Sequence, residues 1–366
     1  MIRDSLNRIL GTSLGDNSWL QAQLPTSRGG LGMRSTFKHS PAAFLASVSS
    51  SRNIVEELVP SIDFDSVSNN EALEHLSTVL GMEDTFPEEV ASSLSQREIG
   101  NKIDETIQTC LLESVETPRE KARLLSVQLP HAGDWLQVIP SPTLGLQLRS
   151  AEFRTSVLYR LGEPLFRSDG ACLACGRHSD RLGDHAIACA SQGERIARHN
   201  HLRDAVFHAA VSASLAPLRE ERALLPGIEQ RPADVLLPNF SGGLHCCVDI
   251  CVVSSLQSQL VDRAANEAGY ALQFRYGQKW DKYGPACQAE GLVFQPVPIE
   301  VLGGWHEAGV RLVKQLGQAL ARSTGQEENE VVRHLFGKLS VLLMRGTAQL
   351  VLNRMPQSEP PTDGIL

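Results

Sequence analysis

Aromatic side chains are scarce in this chain: Phe, Trp and Tyr make up 5% of its 366 residues, so its cores must be filled by Leu, Val and Ala. Basic residues are outnumbered, 34 Lys and Arg against 42 Asp and Glu, and the formal net charge is −8. That composition excludes a protein that meets nucleic acid over its whole surface, which would be basic, but it leaves room for a local basic face. No run of 18 or more apolar residues occurs, so the sequence predicts no transmembrane helix and no membrane partner. The first residues, MIRDSLNRILGTSLGDN, interrupt their apolar pattern with charges and lack the core of a signal peptide. Eight cysteines, three of them clustered with a histidine, are not the dense framework of a secreted disulfide domain. The expected compartment is intracellular and reducing. Internal repeats are absent.

What remains is enough for two or three domains. The opening 1–50 holds a short amphipathic start, a turn at Gly29-Gly30, and a helix expected to begin at Ser40-Pro41. Residues 51–145 read as a helical linker region, acidic and Ser/Asn-rich at first, with Asn70 expected to cap EALEHLSTVL. Further on, Ile103, Ile107, Cys110 and Leu111 share a face, and Thr117-Pro118-Arg119-Glu120 predicts a capped helix start. In 146–192 a helix through Phe153, Val157 and Leu161 stops at Gly162 and leads into the cysteine cluster. Residues 193–305 read as an α/β core. Leu202, Val206, Ala209 and Ala213 mark a helix; Val235–Leu237 and Cys246–Val253 read as a hairpin; a helix reaches Tyr283; and LVFQPVPIEVL is a strand. Two amphipathic helices fill 306–355, and the proline-rich 356–366 is expected to be a disordered tail. The fold class is therefore α+β, mostly helical in its N-terminal half.

The cluster is Cys172-x2-Cys175-x9-His185-x3-Cys189. A tight turn brings the first pair together and a helical turn the second, which suits tetrahedral Zn²⁺. With four protein ligands no position is left for water, so such a zinc is structural. In small peptides it is worth roughly 10–16 kcal/mol, enough to order a loop with little core of its own. His178 is the competing ligand; four unrelated buried residues is the plainer alternative.

Asp234 ends RPAD, and Asp249 sits inside HCCVDICVV. A carboxylate in an apolar strand is costly unless paired or bound to a cation. Two at the same end of adjacent strands could hold Mg²⁺ or Mn²⁺ for phosphodiester hydrolysis. The alternatives are a paired core aspartate for Asp249 and a turn residue for Asp234. Such a site also wants a lysine near the attacking water. Two residues after Asp249 the chain has Cys251, so Lys279 or Lys282, on the next helix, must serve. Glu194, Glu220, Glu221, Glu229 and Glu300 are all available as a third ligand. Between Leu148 and Ala210 there are nine arginines, five histidines and seven acids. Arg195, Arg198, His199 and Arg203 are expected to meet phosphate, with Tyr283 stacking nearby; a solvated helix face and a core tyrosine are the alternatives.

These residues resemble a family. The Cys172, Cys175, His185, Cys189 knuckle, then Arg198-His199-Asn200, then Arg231-Pro232-Ala233-Asp234, then Val248-Asp249-Ile250, resemble in order the C-terminal part of site-specific non-LTR retrotransposon proteins. Lys279, Lys282 and Tyr283 match a K-x-x-K-Y cluster, and LPTSRGGLGMRS through PAAFLAS resembles the segment after a reverse-transcriptase core. The resemblance covers about 150–305, with 15–50 weaker. It implies a restriction-endonuclease-like (PD-(D/E)XK) fold after the zinc knuckle, DNA nicking, DNA or RNA as partner, and a nuclear location. No F/Y-x-D-D polymerase motif is present, so no polymerisation is expected. The proline of the PD dipeptide stands one residue early. The expected function is a metal-dependent DNA endonuclease module of a retroelement-derived protein. The alternatives are a catalytically inactive nucleic-acid-binding or structural relic of the same fold, and a zinc-dependent protein-interaction module.

Overall fold

The computed structural model describes residues 1–61, 67–221, 224–225 and 232–355. Glu229, Arg231 and the tail from Pro356 lie outside the described residues. Contacts divide the chain into two compact units: Met1–Leu14, Thr26–Gly29 and Glu116–Leu366 form one, Gly15–Pro25 and Gly30–Val115 the other.

Helix α1 (Ile2–Leu10) belongs to the larger unit and stops at Gly11, whose φ of 71° is left-handed. The smaller unit is helical: α2 (Asp16–Gln23), α3 (Thr36–Leu58), α4 (Val67–Leu80), α5 (Glu88–Ser93) and α6 (Gln96–Ser114). Its core is aliphatic, as the shortage of aromatics requires: Leu45, Leu73, Leu76, Ile99, Ile103 and Leu111 are buried. Cys110, expected on that face, is exposed. Two predicted helix starts move. Ser35, not Ser40, caps α3 by accepting from the Lys38 N–H, and Pro41 falls inside the helix. Asn70 lies within α4 and caps nothing. Gly30 is required where it stands, because a Cβ there would lie 1.9 Å from the Leu24 carbonyl oxygen.

The larger unit resumes with α7 (Pro118–Ser126), capped by Thr117, whose side chain accepts from the Glu120 N–H. Helix α8 (Ser150–Leu161) ends at Gly162 as predicted; a Cβ there would lie 2.5 Å from Arg123. The short strands β1 (Gly170–Ala171) and β2 (His178–Ser179) pair antiparallel and lead into α9 (Asp184–Ala188) and α10 (Glu194–Ser212). Then come β3 (Leu218–Arg219), β4 (Val235–Ser241) and β5 (Leu244–Val253), antiparallel in that order. The predicted hairpin turns at Gly242-Gly243, both at positive φ. A crossover through α11 (Val261–Ala264) and α12 (Tyr270–Ala289) brings β6 (Val293–Glu300) back parallel to β5. Gly269, at φ 80°, separates these two helices; Gly277 does not interrupt α12.

Helices α13 (Glu307–Thr324) and α14 (Glu328–Leu352) close the unit. Helix α14 is long and apolar enough to cross a membrane by length and composition. Here its apolar surface is buried against α8, α10 and α13. Helix α10 packs on β4 and β5, and α12 on β5 and β6. Odd-numbered residues of β5 face α12: Cys247 packs with Tyr283 and Cys287, and Val253 with Ala271 and Leu272. The period of two then assigns Asp249 and Cys251 to the same face.

Candidate functional site

Two separate constellations form in the larger unit. In the first, Cys172, Cys175, His185 and Cys189 each offer a ligand atom, all within 4.8 Å of one another. The tight turn follows from Gly176 at φ 71°, with the Cys172 N–H bonded to Arg177 O. Asp180 accepts from the backbone N–H groups of Asp184 and His185, starting α9 and aiming His185; Cys189 ends that helix. Cys175 Sγ lies 3.3 Å from His185 Nε2. Ligands around tetrahedral zinc stand roughly 3.3–3.8 Å apart, a range that the Cys175–His185 pair meets, and three thiols with one imidazole are a donor set that could hold such an ion with no position left open. Cys189 is held down at about 6: burial opposes ionisation, but hydrogen bonds from Ser191 and Arg354 outweigh it, favouring the thiolate a metal needs. His178 is exposed on β2, outside the cluster.

The cluster is clamped to the fold. Arg119 grips Asp184 with two bonds of 2.7 and 2.9 Å, and Tyr159 Oη donates to the same carboxylate. Arg354 reaches both oxygens of Glu194 at the start of α10.

The second constellation lies where β4 enters the sheet. One step beyond the Val235–Val248 pair, Asp234 stands opposite Asp249, and its N–H bonds to Val248 O. Asp234 Oδ2 accepts from the Ile250 N–H at 2.7 Å, and Oδ1 lies 3.1 Å from His199 Nε2. Lys279 Nζ stands 3.0 Å from Asp249 Oδ1 and 2.9 Å from Oδ2. The first contact is a hydrogen bond; Oδ2 is buried and accepts none. Burial pushes the Asp249 carboxyl up to about 6; Asp234 adds to this, while Lys279 and His199 oppose it. His199 is raised, chiefly by its bond to Asp234. Lys279 is raised too: burial, the largest single influence, lowers it, but the charge and hydrogen bond of Asp249, with Cys251 and Asp234, together outweigh that. Cys251 stays a thiol, since burial and then Asp249 push it up to about 12. Thus Asp234, Asp249 and Lys279 come together, and His199 joins them.

Several expected site residues do not. Lys282 is exposed, its Nζ 4.8 Å over the Tyr283 ring, with Lys279 alone of the two paired to Asp249. Tyr283 is buried edge-on to Phe294 and is a core tyrosine, so it cannot stack on a base. On α10, Arg198 is buried and donates to Thr347 Oγ1. Arg203 is buried between Asp204 and Glu220. Those two guanidinium groups are committed inside the fold and unavailable to phosphate. The reason is the apolar face of α10: both positions fall beside it, and their stems are buried with it. Arg195 is exposed and donates to Ala188 O.

Three of the third-ligand candidates go elsewhere as well. Glu194 holds Arg354 and Asn353; Glu220 holds Arg203; Glu300 is fully buried and accepts from the N–H groups of Ser255 and Leu302. Sequence reasoning missed His199 as a partner of Asp234. The only available signal was its position on the helix preceding the strand pair. No family model matches the chain, and no curated protein matches it either.

Proposed function

We propose that this chain is a divalent-metal-dependent DNA endonuclease module of a retroelement-derived protein, with a structural zinc site beside it. The observation that carries this reading is the convergence of Asp234, Asp249 and Lys279 where β4 enters the sheet beside β5, under α12. The element order α10, three antiparallel strands, α12, then a parallel strand supports a restriction-endonuclease-like core. The donor set fits Mg²⁺ or Mn²⁺: two carboxylates side by side, one with a buried oxygen that accepts no hydrogen bond. When bound, the metal would polarise the scissile phosphate and lower the pKa of the attacking water. Asp234 and Asp249 would hold it. His199 and the Ile250 N–H orient Asp234. Lys279, freed from Asp249 once that charge meets a metal, would orient the water and face the developing negative charge on phosphorus.

The test is nicking of supercoiled plasmid with Mg²⁺ or Mn²⁺. Wild-type chain should nick, and Asp249→Ala should lose at least about 100-fold in rate. Activity surviving in that variant sinks the assignment. A second reading is a catalytically silent relic. It is favoured by the pairing of both carboxylates with Lys279 and His199, which balances their charge without a metal. Failure of the wild-type chain to nick in either metal, with DNA binding intact, selects it.

A further inference from the structure

We infer that the phosphodiester backbone of duplex DNA lies along α12, clasped by Arg275 and Lys282 on either side of Lys279, and not along α10. This rests on the nucleic-acid reading of the Asp234–Asp249 cleft and names the surface that holds the substrate there. Residues at i, i+4 and i+7 share one helix face, so Arg275, Lys279 and Lys282 form a continuous cationic ridge. Together with Gln278 and Asp281 they line an open groove on α12, three cations against one carboxylate. That is an unusual local balance in a chain of net charge −8.

The ridge is tied to the site. Lys279 reaches Asp249, and Arg275 stands one helical turn before it on the same groove of α12. Arg275 is also oriented: its Nη1 donates to Gln278 Oε1 at 3.0 Å, which spends one of five guanidinium donors. Lys282 is steadied over the Tyr283 ring with its ammonium exposed. Two cations one helical turn to either side of a lysine at the carboxylates can hold successive phosphates while the scissile one sits between. By contrast, Arg198 and Arg203 of α10 are buried and already bonded.

The experiment is fluorescence anisotropy with a labelled DNA duplex and an RNA duplex of the same sequence, with Ca²⁺ in place of Mg²⁺, across a salt series. Arg275→Ala/Lys282→Ala should weaken DNA binding by about tenfold or more and reduce the log–log salt slope by about 2, one per lost phosphate contact. Arg195→Ala, on α10, should leave both unchanged. Both ridge side chains are outside the core, and a thermal melt confirms that the double variant is folded. Wild-type affinity and slope in the double variant overturn the inference, as does an equal loss in Arg195→Ala or a wild-type chain that does not bind. Binding of the RNA duplex but not the DNA duplex overturns the DNA assignment. Because cleavage is not read, a chain that binds along α12 but never nicks keeps this inference and loses the nuclease.

Discussion

Lys279 and Asp249 are a buried pair in which neither charge is comfortable alone. The Asp249 side chain is 10% exposed and that of Lys279 27%. Removing one partner of such a pair leaves the other uncompensated, whereas removing both can be close to neutral. Lys279→Met should therefore destabilise the fold by about 1–3 kcal/mol, less than for a fully buried pair because Lys279 is partly solvated. Asp249→Asn/Lys279→Met should recover most of that loss in a urea-denaturation cycle. Additive losses would show that the two residues are not coupled. The identity of these residues was legible beforehand: an aspartate in an apolar strand signals a partner wherever it occurs. Which lysine answers it was not. Lys279 and Lys282 differ by three positions on one helix, and only the placement of α12 on the odd-numbered face of β5 selects the first. The same uncertainty misled the reading of Arg198 and Arg203. Sequence shows a basic helix, but it does not show which of its long side chains lie under a neighbouring helix.

At the scale of elements, the knuckle is the part whose order depends on something other than apolar packing. Strands β1 and β2 have two residues each, and α9 has five. None of them would hold its shape alone, since isolated helices this short are marginal in water. A zinc ion on the four ligands would supply the missing stabilisation, and clamps such as Arg119–Asp184 and Arg354–Glu194 would pass it on to α7, α10 and the end of α14. Metal analysis should find about one zinc per chain. Chelation at moderate temperature should lower the melting temperature by several degrees or more, and Cys175→Ser should reproduce this without chelator. A chain whose melting is indifferent to both has no structural metal there. This element was read almost completely from spacing, because CxxC and HxxxC geometries are local. The start of α3 was misread for the converse reason: Ser35 and Ser40 both precede acceptable helix positions, and packing within the helical unit decided for the longer helix.

For the molecule as a whole, buried acids set the pH dependence of stability. Burial holds Glu300 up at about 7, against bonds from Ser255 and Leu302 that favour its charge, and holds Asp249 at about 6. Both values lie above those of the unfolded chain, near 4. Their contribution is therefore fully present below about pH 4 and lost as pH rises through 6 and 7. Carboxylates that are held down, such as Glu152 and Asp204, act oppositely, losing stability as pH falls below about 4. Unfolding free energy should thus fall between about pH 5 and pH 7.5, with Glu300 accounting for up to about 3 kcal/mol. Glu300→Gln should flatten that fall; an unchanged slope would refute the role of Glu300. By itself the sequence determined the aliphatic cores, the Cys/His cluster, the hairpin, the helix stop at Gly162 and the two aspartates. Each of these is dictated by local spacing or by the cost of burying charge. Only the tertiary structure decided that Lys279 meets Asp249, that His199 meets Asp234, and that Arg198 and Arg203 of α10 turn inward. Those outcomes depend on which helix covers which face of the sheet, and partners 30 and 35 positions apart in sequence carry no local signal of that choice.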